Sequence, residues 1–224
     1  MVLLVFLGFG NSFFLRPLNE DAQALPVAVL FHGAILTSWF IGILLQSLLI
    51  HSHQFKLHRQ LGWLLVCVGL IIIVWSIITT LKFVPGRLAS GTDVEARLVF
   101  FSEIVWADFA AISGFIVFFT IALIHRKNAA LHIPMMLFAS ISIIEPALFR
   151  LWGWEIFGGL DRHLLSLAAL GLLCLILVAY EYAIAKKVQA ATLFSLLLLL
   201  GLRVIAIYLI SHSDPGIAFI RSLY

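Results

Sequence analysis

Residues 31–63 read FHGAILTSWFIGILLQSLLIHSHQFKLHRQLGW: a long apolar stretch, a short basic turn rich in histidine, and the start of a second apolar stretch. From Val27 to Ile50 there is no Asp, Glu, Lys or Arg. An α-helix rises 1.5 Å per residue, so about 20 apolar residues cross a hydrocarbon core of roughly 30 Å. This stretch therefore predicts a membrane-spanning helix, a turn and a second spanning helix.

The composition of the whole chain agrees with this prediction. Of its 224 residues, 63% are hydrophobic and 11% are charged, whereas about 25% are charged in an average soluble domain. The formal net charge of +3 comes from cations scattered at helix ends, a pattern that does not favour nucleic-acid binding. We expect the lipid bilayer as the main partner, and membrane-protein partners or a homo-oligomer stay open.

The apolar segments predict an all-α, polytopic transmembrane bundle of about seven helices, forming a single domain over residues 1–224. The first segment, about 1–15, is short of a full span and is interpreted as a short or N-terminally incomplete helix. The other predicted spans are about 27–50, 60–81, 98–124, 131–152, 163–185 and 188–210. We expect a kink at Pro146, a polar loop over 82–97, and a tail over 212–224 on the membrane surface.

The charges of the loops predict an orientation. One set of loops has basic residues and no acid: Lys56, Arg59, Arg126, Lys127, Lys186 and Lys187. The other set mixes Arg16, Lys82, Arg87, Arg97, Arg162 and Arg221 with Glu20, Asp21, Asp93, Glu95, Glu155, Asp161 and Asp214. Because basic loops stay in the cytoplasm, the first set is predicted to be cytoplasmic. With seven spans, the N-terminus is then cytoplasmic and the C-terminus lies outside.

Six charged side chains fall inside predicted spans. Glu181 lies near the cytoplasmic end, and the other five share the outer half: Glu103, Asp108, Glu145, Arg150 and Arg203. Each costs roughly 2.5–3.5 kcal/mol at mid-helix when unpaired. Residues five apart lie about 140° apart around a helix, so Glu145 cannot simply pair with Arg150. Glu103 and Asp108 are separated by the same angle, so the partners of these charges must come from other helices. We predict that Arg150 or Arg203 pairs with Asp108 or Glu103 across the bundle. The result is either a polar pocket open to the outer face or a structural network that fixes helix register.

A polar stripe also marks the second predicted helix. His32, Trp39, Gln46 and His53 recur every seven residues, which keeps them near one face. Unpaired polar groups are costly in hydrocarbon, so this face is expected to contact protein. In one interpretation, Gln46 forms hydrogen bonds between helices and His32 has ordinary hydrogen-bond partners in the protein. In the other, His32 binds a cofactor, a metal or a proton.

Three kinds of chemistry fit these residues. In the first, histidines at matched depth hold haem b in a haem- or quinone-linked redox component: His32 with His163 on the outer side, and His58 or His53 with His132 on the inner side. The second is a transporter, channel or small-ligand receptor that uses the charges of the outer half. The third is a metal-dependent membrane enzyme with His32, Asp108 and His163 as ligands, since catalytic zinc needs three protein ligands. No catalytic residue is assigned.

Several short motifs resemble a family of bacterial multi-pass membrane proteins with no assigned activity. They are Gly8-Phe9, His32, Trp39, Gln46, Leu57-His58-Arg59 with Gly62, His132 with Met135 and Met136, and Pro146 with Arg150. The chain departs from the family pattern at Ile133-Pro134, where a basic pair is usual, and at Glu181, where Asp is expected. The resemblance implies a bacterial inner-membrane location. A looser similarity to transmembrane di-haem cytochrome b bundles implies haem binding by analogy alone.

Overall fold

The computed structural model describes residues 1–18, 24–158 and 160–224, and within them the chain is helical with no β-strand. The α-helices are α1 (Val2–Phe9), α2 (Val27–His51), α3 (Phe55–Leu81), α4 (Phe83–Ala89), α5 (Leu98–Ile124), α6 (Ala129–Ser142), α7 (Glu145–Leu151), α8 (Arg162–Ala185), α9 (Ala190–Val204) and α10 (Asp214–Arg221). Two π-helical segments, Gly10–Phe14 and Ile205–Ile210, continue α1 and α9. Short 3₁₀ turns occupy Arg16–Leu18, Glu95–Arg97 and Glu155–Phe157.

Among the described residues, five helices are long and apolar enough to cross a membrane. The pair α6 and α7, bent by 46° at a short break, makes a sixth span if it is counted as one. The apolar helix Val2–Phe14 is shorter than a span, as expected for the first segment. The prediction of an all-α membrane protein is thus confirmed. The outer-loop residues Glu20 and Asp21 lie outside the described residues.

The chain forms two compact units, an N-terminal unit, Met1–Thr79, and a C-terminal unit, Thr80–Tyr224. Each has its own packing. The single domain expected over 1–224 stays a prediction.

In the N-terminal unit, α2 and α3 pack side by side in antiparallel directions. Leu65 lies directly over Gly42, where the missing side chain leaves room for it. The Trp75 indole donates to the Ala28 carbonyl over 3.1 Å, and the Gln46 amide donates to the His58 carbonyl over 3.1 Å. These bonds give polar groups of apolar helices the partners that hydrocarbon cannot supply.

The polar stripe of α2 faces inward for most of its length. Trp39 and Gln46 are buried and His32 is half-buried. His53 departs from the pattern because it lies in the turn after α2, exposed and with φ of 58°. The expected hydrogen bond between helices through Gln46 is confirmed.

Two boundaries differ from the sequence prediction. First, α3 begins at Phe55 rather than near Gln60, because the polar residues of the turn are compatible with helix. Second, the predicted loop over 82–97 contains α4, with Val84 fully buried and Val94 nearly so. Apolar packing against α5 and α10 orders this segment in spite of its polar composition.

The C-terminal unit is built around α5. In the most apolar stretch of α5, half of the residues are buried, compared with 28% in the corresponding stretch of α8 and 28% in that of α9. It packs on α6, α9, the second π-helical segment and α10. At Gly114, an added Cβ would lie 2.8 Å from Ser142 Oγ, so glycine is what lets α5 and α6 approach here.

The tail folds into α10 and docks on α5. The Ser213 hydroxyl caps this helix by accepting from the Gly216 N–H over 3.1 Å. Ile220 is fully buried in a cluster with Phe101 and Val105 of α5. At the surface, Glu95 accepts hydrogen bonds from Arg221, over 3.0 Å, and Tyr224, over 2.7 Å. The location of the tail on the membrane surface stays a prediction.

Candidate functional site

The site begins at the break between α6 and α7. A proline ring clashes with the carbonyl four residues earlier and offers it no N–H, and for Pro146 that carbonyl belongs to Ser142. Accordingly, α6 ends at Ser142 and α7 starts at Glu145. The kink predicted at Pro146 therefore lies just before it, as a short break at which the span bends by 46°.

Arg203 of α9 occupies the space beside this break. Its guanidinium donates to the Ser142 carbonyl at the end of α6 and, over 2.6 Å, to the Ala107 carbonyl of α5. It also forms an ion pair with Glu145, the first residue of α7. Arg203 is 2% exposed and Glu145 4%. One buried cation thus joins both sides of the broken span to α5.

The partner of Arg203 differs from the one expected from the sequence, whereas Arg150, the other arginine of that prediction, interacts electrostatically with Asp108. Arg203 forms its ion pair with Glu145, whereas the Glu103 carboxylate lies beside His163 and His212. The reason is local, because the break frees the carbonyl of Ser142 and places the Glu145 carboxylate in the next turn. A guanidinium has enough donors to bind both a carbonyl and a carboxylate.

Asp108 lies next to this ion pair. Its Oδ2 accepts a hydrogen bond from the Thr80 hydroxyl over 3.4 Å. Its charge interacts with those of Glu145, Arg203 and Arg150. Arg150 also donates from Nη1 to the Pro146 carbonyl over 3.0 Å. Two acids and two arginines therefore form one electrostatic group around the break.

Glu103, the fifth predicted charge, lies nearer the start of α5. Its Oε1 is 3.1 Å from His212 Nε2, and its Oε2 is 3.4 Å from His163 Nε2. The His163 ring packs on Phe149 of α7 with ring centroids 4.7 Å apart. The carboxylate therefore lies between two imidazoles, one from the start of α8 and one from the segment that precedes α10.

The second π-helical segment begins two residues after Arg203 and carries Tyr208. Tyr208 interacts electrostatically with both Glu103 and Glu145. The Ser102 hydroxyl donates to the Ser211 carbonyl over 2.8 Å, which fixes the end of this segment to α5. Single π-helical turns occur frequently at functional sites.

Thr80, Tyr208 and His212 were not among the residues predicted from the sequence. His212 was assigned to the tail, and Tyr208 to an ordinary last turn. Tyr208 and His212 are four residues apart and begin five residues after an intramembrane arginine, which is the sequence signal that could have identified them. Nothing in the sequence indicates the π-helical turn.

The predicted haem ligands are distributed over both units. His32 and His58 belong to the N-terminal unit, and His132 and His163 to the C-terminal unit. His132 lies at the start of α6, and His163 lies against the end of α7, so they sit at opposite ends of the broken span. The predicted pairings of His32 with His163, and of His58 or His53 with His132, stay predictions.

His132 has a defined hydrogen bond. Its Nδ1 lies 2.9 Å from the Ala122 carbonyl, which can only accept, so Nδ1 carries a proton. In the described residues, no group of three or more His, Cys, Asp or Glu is arranged to hold a metal ion. The metal-enzyme hypothesis with His32, Asp108 and His163 therefore gains no support.

No protein-family model, curated protein or solved structure matches the chain.

Proposed function

We propose that this chain is a proton-linked transporter or channel of the bacterial inner membrane, with its C-terminus in the periplasm and, if the short first helix also crosses the bilayer, its N-terminus in the cytoplasm. The observation that carries the proposal is the charge arrangement at the break between α6 and α7. Transporters commonly bind ions and substrates at broken helices, where side chains reach freed backbone groups. An ionisable residue within a membrane span marks a functional site by default.

The two acids at the break are held differently. Glu145 is neutralised by Arg203, which is itself fixed by two backbone carbonyls. Asp108 has a hydroxyl as its hydrogen-bond donor and lies within the field of both arginines. Asp108 is therefore the carboxylate that takes up and releases a proton, while the ion pair keeps the pocket in shape.

Protonation of Asp108 also changes the forces on the helices. It removes a negative charge that attracts Arg203 and Arg150, and so weakens the attraction of α5 for α9 and α7. The break before α7 provides a place where the span can bend. Proton binding is thereby linked to movement of the broken helix, as coupled transport requires.

The test is proton uptake by purified protein in liposomes that contain a pH-sensitive dye, driven by a potassium diffusion potential. Asp108→Asn should abolish the uptake, whereas Asp93→Asn, an exposed acid that caps the Ala96 N–H, should leave it unchanged. Wild-type uptake no faster than that of empty liposomes contradicts the proposal, as does full activity of Asp108→Asn. A reporter fused after Tyr224 that is active only in the cytoplasm contradicts the orientation.

A haem- or quinone-linked redox component is the second candidate, and His132 favours it. Histidines that bind a metal commonly donate their other ring nitrogen to a carbonyl, and the bond from Nδ1 to Ala122 leaves Nε2 for a ligand. Haem b would supply one-electron transfer. Absorbance of the pure protein tests this idea. A Soret band that is lost in His132→Ala and kept in His125→Ala supports it, and the lack of a band in the wild type rejects it.

A further inference from the structure

Glu103 and its two histidines form a connection between the surface and the interior, along which the side chains become progressively less exposed. The side chain of His212 is 46% exposed, that of Glu103 20%, and that of His163 11%. One turn deeper on the same face of α8, Ser166 is fully buried. Three polar side chains in contact, and a fourth one helical turn further along α8, thus lead inward from an exposed end of the C-terminal unit.

The deeper part of this connection has unused hydrogen-bonding capacity. His163 Nδ1 and Ser166 Oγ are buried and have no hydrogen-bond partner among the described residues. The same is true of His163 Nε2, whose 3.4 Å distance to Glu103 Oε2 is an ion-pair contact without hydrogen-bond geometry. Buried polar atoms in native proteins are nearly always paired with protein or with ordered water. Two such atoms one helical turn apart are what a short chain of ordered water needs as partners.

Electrostatic interactions, rather than direct contacts, relate this connection to the proposed proton site. Tyr208 interacts electrostatically with both Glu103 and Glu145, and Asp161, just before α8, acts on the same phenol. Glu145 in turn lies within the electrostatic group of Asp108 and Arg203. The titratable groups that interact with Glu103 are therefore His163 from α8, His212, and Tyr208 from the π-helical segment, and Asp161 interacts with Tyr208.

We infer that Glu103, between His163 and His212, is the group through which protons pass between the outer aqueous phase and the pocket of Asp108 and Glu145. This inference rests on the proposed function and assigns the outer end of its proton path. Glu103 takes one proton from hydronium or from a protonated imidazole and becomes a neutral acid. It then gives that proton, through hydroxyl groups or ordered water, to the Asp108 carboxylate and becomes ionised again. One proton moves inward, and no other reactant is consumed.

The test compares Glu103→Gln with Glu95→Gln in the liposome assay. Both are acids near the outer start of α5, but Glu95 is exposed and bonded to Arg221 and Tyr224. Loss of a positioned acid–base group slows proton transfer by about 10²-fold or more. We therefore expect Glu103→Gln to reduce the initial rate by that order and Glu95→Gln to leave it near the wild-type rate.

The outcomes separate this inference from the proposed function. If Asp108→Asn abolishes uptake and Glu103→Gln matches the wild type, the outer path is wrong and the proposed function stands. If Asp108→Asn also matches the wild type, both fail. Equal slowing by Glu103→Gln and Glu95→Gln contradicts a specific role for Glu103.

A second measurement does not depend on the folding of the Glu103 variant. His212→Cys, made with Cys67→Ser and Cys174→Ser, is treated with a membrane-impermeant, negatively charged thiol reagent. Labelling from the outer side should block uptake. Failure of the cysteine to react, or labelling that leaves the rate unchanged, overturns the inference.

Discussion

Replacing Arg203 with Met tests the energetic role of the buried ion pair. The change keeps an apolar chain of similar length but removes the guanidinium that pairs with Glu145 and binds two carbonyls. Both partners of the pair are almost completely buried, so solvent screens their interaction little. Removing one partner of a buried ion pair costs about 3–5 kcal/mol, since the other charge is left uncompensated. We expect Arg203→Met to destabilise the protein by that amount.

The assay is equilibrium unfolding in mixed micelles with a rising fraction of a denaturing detergent, followed by near-ultraviolet circular dichroism. Arg221→Met is the matched control. It breaks the ion pair with Glu95, in which both side chains are more than half exposed, and exposed pairs contribute little to stability. Its unfolding midpoint should stay close to that of the wild type.

A double variant separates the loss of the pair from the loss of the buried charge. Glu145→Leu in the Arg203→Met background removes the uncompensated carboxylate, so part of the lost stability should return. The reasoning is refuted if Arg203→Met is no less stable than Arg221→Met, or if the double variant is no more stable than Arg203→Met alone.

Two further predictions concern other parts of the chain. A methyl group at Gly42 would overlap Leu65, whereas one at Gly62 would make ordinary contact. Gly42→Ala should therefore destabilise the protein by about 1–3 kcal/mol through overpacking and lower its unfolding midpoint. Gly62→Ala should leave the midpoint unchanged. Burial, and then the hydrogen bond to Glu95, raise the pKa of Tyr224 above its ordinary 10.0. Because this folded-state pKa is above the unfolded one, the protonated phenol stabilises the docked tail below pH 10, and that contribution is lost as the pH rises through the folded pKa. The pH dependence of tryptophan fluorescence should show this step in the wild type and lack it in Tyr224→Phe, and an unchanged step in the variant would refute the assignment.

The sequence by itself determined the class of the protein and most of its helices. Long runs of apolar residues need both a lipid surround and internally satisfied backbone groups, and the helix meets both requirements through local hydrogen bonds. The length of each run then gives the span, as with α2 and α5. Pro146 likewise predicted a kink, because its effect depends only on the residue four positions earlier, although the break into α6 and α7 was seen only in the structure.

Only the tertiary structure decided which charges meet. Arg203 and Glu145 belong to different helices, and each has several possible partners at similar depth. Their pairing depends on how the helices rotate and on which carbonyls the break leaves free. The π-helical turn that places Tyr208 and the tail residue His212 near Glu103 depends on the same packing. Local sequence fixes hydrogen bonds within a helix, but helix rotation is set by contacts between segments distant in the chain, and so the candidate site emerged only from the fold.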